Sequence, residues 1–193
     1  MSAPGAPIVV RHAAVGELAD AGAVVAEAYL HDLVVSAGYV AQLRDAAGRA
    51  EHSLVLVAVL DEVSGRDPLV GRGGEVLGSI TYVRGGTPMA QRAAEGECEL
   101  RMLGVSPAAR GLGVAAALIA ACLDMAAHEG VHRVVLSTQP QMAAARRLYV
   151  RFGFSRRPEM DWRPEPGVEL LGYDLVLPDP PVRRPGPDGA ARP

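Results

Sequence analysis

Residues 99 to 118 read ELRMLGVSPAARGLGVAAAL, and this stretch decides the fold. Its first part belongs to an alternating segment, Glu97 to Val105, with Glu97, Glu99 and Arg101 on one side and Cys98, Leu100 and Met102 on the other. That is the period of a strand whose two faces meet different surroundings. Its second part opens a longer segment, Leu112 to Gly130, in which Ala115, Leu118, Ile119, Cys122, Leu123 and Ala126 fall on one helical stripe closed by His128 and Gly130. A strand, a short glycine-bearing loop and a helix in this order make an anion site. The first amides of a helix lack intrahelical partners, and the aligned peptide dipoles leave about half a positive charge at that end. Without Cβ atoms, Gly111 and Gly113 let main-chain N–H groups touch phosphate oxygens, and Arg110 adds charge and donors. A Walker loop is excluded, since it needs a lysine and the chain has none. A dinucleotide fingerprint is disfavoured, because Gly111 and Gly113 are followed by Ala116 and stand mid-chain with no evident acidic ribose ligand downstream.

Outward from this stretch, Pro7 to Arg11 reads as an opening strand, Val15 to Leu30 and Tyr39 to Ala50 as helices, and Ser53 to Leu60 and Glu75 to Val83 as strands joined by a loose loop. Downstream, His132 to Thr138 reads as a strand, Met142 to Arg151 as a helix with Arg146, Arg147 and Arg151 outward, and Phe154 to Arg157 and Val168 to Leu177 as closing strands. The order predicts an α/β (α+β) fold with a mixed central sheet of about six to seven strands flanked by about four helices. Residues 7–177 form the domain, after a flexible leader over 1–6. The stretch 178–193 holds too much Pro and charge to fold and is expected to be a disordered tail.

At 193 residues and 49% hydrophobic, the chain has room for one domain. Nineteen Lys+Arg against 22 Asp+Glu gives a net charge of -3, so neither nucleic acid nor membrane is expected as a partner, and the acidic balance tilts toward a cationic small molecule. Cys98 and Cys122 have no metal or disulfide spacing beside them, which predicts no metal and a reducing, cytoplasmic setting.

Arg110, Gly113 and Ala115 spell R-x-x-G-x-A directly after Leu103-Gly104-Val105, and AAARRLYVRFGF follows at residues 143 to 154. The pair resembles motifs A and B of the GNAT N-acetyltransferase superfamily, over about residues 7 to 177 in element order. The resemblance implies the GNAT fold and acetyl-CoA as co-substrate. It implies that Leu103 and Val105 offer backbone groups to the pantetheine arm, and that the amides of Gly111, Leu112, Gly113, Val114 and Ala115 hold the pyrophosphate. The arm would lie where the strand ending at Val105 and the one from His132 splay apart. Met142 stands where the family often has Asn.

The implied chemistry is direct attack by a primary amine of a small molecule, peptide or protein on the thioester in a ternary complex. An alkylamine with a pKa near ~10.4 is neutral at pH 7 in about one molecule in a few thousand, a handicap of roughly 4 to 5 kcal/mol that a base relieves. Glu99, six residues before Val105 on the polar strand face, is the expected base, with Glu97 in reserve. Tyr149 is the expected donor to the departing thiolate, whose conjugate thiol has a pKa near ~8.5. Tyr29, His31, Asp32 and Tyr39 are expected at the acceptor wall. Trp162 lines that pocket or pins a closing loop, and the arginines of the last helix offer a contact to the 3′-phosphate. The alternative is a non-catalytic module that senses acyl-CoA. Homodimers are common in this family.

Overall fold

The computed structural model describes residues 7–60 and 74–178. The opening β-branched run is strand β1 (Ile8–His12), followed by helix α1 (Leu18–Asp32). The next helical stretch divides into α2 (Ala37–Arg44) and α3 (Ala46–Ala50). Asp45 leaves the helical region at that point, and its carboxylate accepts the Gly48 amide at 2.8 Å, the capping bond that short acidic side chains favour. Then come β2 (Leu54–Leu60), β3 (Val76–Arg84), β4 (Glu97–Val105), α4 (Val114–His128), β5 (Arg133–Thr138), α5 (Ala143–Arg151), β6 (Ser155–Arg156) and β7 (Leu171–Val176). The described residues therefore hold seven strands and five helices, the fifth arising from the break at Asp45. The leader over 1–6 lies outside the described residues, as do the loop between β2 and β3 up to residue 73 and the tail beyond Pro178.

The sheet runs β1-β2-β3-β4-β5-β7-β6, with β4 and β5 its parallel pair. On one face the apolar stripe of α4, with Leu118, Ile119 and Cys122 fully buried, packs over Leu56, Tyr82, Leu100 and Leu136 together with Tyr149 of α5. On the other face Val24 and Val25 of α1 and Leu43 of α2 form a second cluster. Each such aliphatic side chain withdrawn from water contributes about 1.5–3 kcal/mol, which holds the helices to the sheet. Burial pushes the Cys98 thiol up to about 12 and raises that of Cys122 as well, so neither is a nucleophile at neutral pH.

The alternation of β4 is reset midway. Ser79 pairs with Gly104 but Thr81 with Arg101, so one residue of β3 faces two of β4, a β-bulge at which Met102 takes a φ of +50°. Cys98 and Leu100 lie under α4, whereas Met102 packs with Val24, Val25 and Leu43 on the opposite face. Strict alternation had placed Met102 beside Leu100; the bulge carries it across and turns Leu103 and Val105 toward α4. Parallel pairing of β4 with β5 runs from Glu97 opposite Arg133 to Leu100 opposite Leu136 and goes no further. Beyond it β4 stays with β3 and β5 with β7, so the two strands part and each leaves one backbone edge without a partner among the described residues.

Candidate active site

The parted strands open a passage through the sheet. On the α4 side lies a cavity of about 500 Å³ lined by Leu103 and Val105, by Arg110, Gly111, Gly113, Val114 and Ala115, and by Leu148, Tyr149 and Arg151 of α5. Gly111 (φ +79°) and Gly113 (φ +87°) take left-handed conformations that L side chains rarely adopt, and α4 begins immediately after them. The first closed turn is the bond from the Ala117 amide to the Gly113 carbonyl at 3.0 Å. The amides of Gly111, Gly113, Val114, Ala115 and Ala116 find no acceptor among the described residues. Leu112 differs: its amide donates to the Ala109 carbonyl at 3.4 Å and its side chain is 58% exposed. The open donors thus run Gly111, then Gly113 to Ala116, rather than unbroken from Gly111 to Ala115.

Arg110 reaches back to the end of α1. Its two terminal nitrogens donate to both carboxylate oxygens of Asp32, at 3.0 and 2.9 Å, and His31 Nδ1 stands 2.9 Å from the same group. Partial burial opposes the Asp32 charge, yet the bonds from His31 and Arg110 prevail and hold this carboxyl below its usual range. Arg151 lines the cavity, while Arg146 and Arg147 do not.

Tyr149 is 7% exposed and meets Phe154 edge-on, ring centroids 6.0 Å apart. Burial among these groups pushes its phenol up to about 12, so the O–H keeps its proton across the physiological range. Tyr29 and Met142 line both this cavity and a narrow throat of about 50 Å³ between the parted strands. The throat also holds Glu99, Arg101, Tyr39 and Trp162, and Arg101, Tyr39 and Trp162 continue into a pocket of about 330 Å³ on the far side.

Glu99 is 2% exposed, and its Oε2 accepts the amides of Gln91 and Arg92 at 2.8 and 2.9 Å. Oε1 stands 3.8 Å from Arg101 Nε, and Arg101 Nη1 donates to the Met89 carbonyl at 2.7 Å. The strand pair Glu99 and Arg101 therefore fastens the loop between β3 and β4 while leaving Oε1 in the throat without a hydrogen bond among the described residues. Glu97 is spent elsewhere, on Arg133 at 2.6 Å and the Ala94 amide at 2.9 Å. Of the four residues expected at the acceptor wall, Tyr29 and Tyr39 meet edge-to-face at 6.0 Å in the throat, Asp32 lies on the other side with Arg110, and His31 is exposed. Trp162 lines the pocket, and its Nε1 donates to Ser137 Oγ at 3.2 Å while its backbone bridges to Leu170.

Two arginines were not foreseen here. Arg101 read as an alternating strand residue and at most a surface ion-pair partner of Glu99, and Arg49 carried no signal in its local pattern. Arg49 is 4% exposed, donates to Thr81 Oγ1 and to the carbonyls of Gln42 and Leu43, and has no carboxylate within 4.0 Å among the described residues.

The profile of the Acetyltransferase (GNAT) family matches residues 40–154. Among curated proteins none matches the chain in sequence. Of solved structures, an acetyltransferase of the GNAT family from Staphylococcus aureus superposes with a TM-score of 0.67 at 12% identity, over 89% of this chain and 100% of the other. The ribosomal-protein-S18-alanine N-acetyltransferase of Escherichia coli follows at 0.60 and 18%, over 88% and 94%. The protein yncA of Salmonella typhimurium, whose structure holds its cofactor acetyl-CoA, gives 0.59 and 21%, over 90% and 95%. At these identities the likeness is one of fold. No described helix is long and apolar enough to cross a membrane.

Proposed function

The chain belongs to the GNAT acetyltransferase family, and from that premise we propose that it transfers the acetyl group of acetyl-CoA to a primary amine by direct attack within a ternary complex. The observation that carries this reading is the meeting of two separate cavities at one throat, with Tyr149 at the end of one and Glu99 in the passage to the other. The open amides of Gly111 and of Gly113 to Ala116 take the pyrophosphate, helped by the positive end of α4. The unpaired edge of Leu103 to Val105 receives the amide groups of the pantetheine arm as an added strand. The thioester then lies at the throat beside Tyr149, where the amine arrives from the opposite side.

Attack forms the new C–N bond, and collapse of the tetrahedral adduct breaks the C–S bond. Glu99 Oε1 receives a proton from the incoming ammonium, directly or through water, and a backbone N–H near Val105 meets the oxyanion. With its phenol at about 12, Tyr149 stabilises the leaving thiolate by donating a hydrogen bond. Complete proton transfer to a thiolate of pKa near ~8.5 would be uphill by roughly 5 kcal/mol. No covalent enzyme intermediate is required, as the protonated cysteines agree.

The test is calorimetric binding of acetyl-CoA combined with a thiol-release assay across a panel of amines. Amine-dependent release of free CoA is the expected result. Binding without release for any amine would make the protein an acyl-CoA sensor, and absence of binding would overturn the donor site itself.

A further inference from the structure

The far pocket carries a charge pattern that selects among amines. Glu99 Oε1 and Arg101 Nε face each other at 3.8 Å, too far for a hydrogen bond and close enough for each to influence the other's partner. Behind them Arg49 is buried, and among the described residues no carboxylate pairs with it. The charge of Glu99 is already met by two main-chain amides. Among the described residues the guanidinium of Arg101 has one hydrogen bond, to a neutral carbonyl, and it lines both throat and pocket. The other charged side chain lining the pocket is Glu165 at its exposed rim, and Arg92 stands outside the lining with its guanidinium carbon 6.0 Å from the Trp162 ring centre. Glu99 and Arg101 thus balance where throat and pocket meet, the buried guanidinium of Arg49 close to Arg101 adds a cation behind them, and the walls formed by Tyr39, Trp162, Val168 and Leu170 are largely apolar.

We propose that the acceptor is a free α-amino acid with a large apolar side chain, its ammonium set on Glu99 Oε1, its carboxylate on Arg101 and its side chain between Tyr39 and Trp162. In such a molecule the nitrogen and the carboxylate carbon are about 2.5 Å apart, as bond lengths of about 1.46 and 1.52 Å and an angle near 111° require. The two charges thus span the Glu99–Arg101 gap with each facing its opposite. A charged carboxylate answers the surplus of guanidinium, as a peptide amide or a simple alkylamine does not. The pocket volume of about 330 Å³ admits one such molecule. This inference rests on the acetyl-transfer reading and adds the acceptor class to it.

The experiment compares phenylalanine, phenylalaninamide and phenethylamine on the full chain, measuring calorimetric binding to the CoA-loaded protein and, separately, CoA release from acetyl-CoA. Phenylalanine is expected to bind at least tenfold tighter than either analogue. It is also expected to give the highest kcat/KM, although the amide offers the less basic amine. Arg101→Gln is expected to bring the three ligands within about threefold of one another without changing acetyl-CoA affinity, and Arg101→Lys to restore part of the preference. Should the variants not fold, the three-ligand series on the unaltered protein decides alone. Equal or better binding of the amide or the amine overturns the inference, and CoA release with those ligands would leave acetyl transfer intact. Preferential binding of phenylalanine with no CoA released would keep an amino acid as the ligand of this pocket but overturn the transfer reading, and the acceptor role with it.

Discussion

Tyr149 and Glu99 answer to different measurements because they are held differently. Tyr149 is packed by aromatic rings, and the proposed role uses only its O–H, so Tyr149→Phe keeps the packing and removes one hydrogen bond to the leaving group. The expected outcome is a loss of about 10- to 100-fold in kcat with acetyl-CoA affinity unchanged, read from steady-state kinetics and calorimetry. Its pH dependence has a definite sign. The useful form of the phenol is the protonated one, and with the group at about 12 that form persists while the amine deprotonates, so the rate climbs from pH 7 to 10 without an alkaline decline. A falling limb near pH 10 that vanishes in Tyr149→Phe would show the phenol titrating normally. Glu99 also has a structural task, since its Oε2 accepts two amides of the β3–β4 loop. Glu99→Ala leaves those buried donors unmet and is expected to destabilise the fold by about 1–3 kcal/mol, whereas Glu99→Gln retains an accepting oxygen and loses less. Both variants are expected to lose turnover. Thermal denaturation set beside kinetics separates the two roles, and a Gln variant with unaltered kcat would remove Glu99 from the chemistry.

Among the elements, the junction of β4, its loop and α4 is the proposed coenzyme site, and the two glycines there are tied to backbone shape as well as to space. At φ of +79° and +87° a β-branched residue is strained, so Gly111→Val with Gly113→Val is expected to reshape the loop, misdirect the open amides and weaken acetyl-CoA binding at least tenfold by calorimetry. Unchanged affinity would mean that the diphosphate is held elsewhere. This junction was legible in the sequence because strand period, glycines and helical stripe sit side by side in Glu97 to Gly130. The residues proposed for the donor half line one cavity, Tyr149 among them, because such local order sets their placement. The bulge at Met102 was not legible. Its cause is a one-residue mismatch between β3 and β4, and no periodicity within β4 alone can reveal which residue of a distant strand lies opposite. The helix break at Asp45 is a local capping signal that a helical count from Tyr39 to Ala50 runs across. Arg49 belongs to a third kind: its place behind the throat depends on α3 packing over β2 and β3, a contact made only once the sheet is assembled.

Taken as a whole molecule, the net charge of -3 says little about the acceptor, because charges more than about 8–10 Å apart are screened at physiological salt, and the throat is governed by Glu99 and Arg101, which line it, with Arg49 buried close to Arg101. What acts on stability in acid is a set of carboxylates paired in the folded chain. Arg11 bonds Glu17 at 2.6 Å between β1 and the start of α1, and this bond holds the Glu17 carboxyl below its usual range. At the end of the same helix Asp32 is lowered by His31 and Arg110 against partial burial. Glu129, after α4, is lowered in spite of partial burial by Arg84 and Tyr82, and Asp161 is lowered chiefly by Arg156. In each case the folded state binds the proton less readily than the unfolded chain, whose Glu and Asp titrate near about 4.3 and 3.9. The stabilisation is therefore complete above those values and is lost as pH falls through the lower folded ones. The melting temperature is expected to be level from pH 7 to about pH 5 and to decline below about 4.3, with α1 losing both of its end clamps together. Because these pairs are partly exposed, added salt is expected to shrink the decline. Differential scanning calorimetry across pH 3 to 8 at low and high salt checks this, and a decline that begins between pH 7 and 6 would move the cause from these carboxylates to histidine.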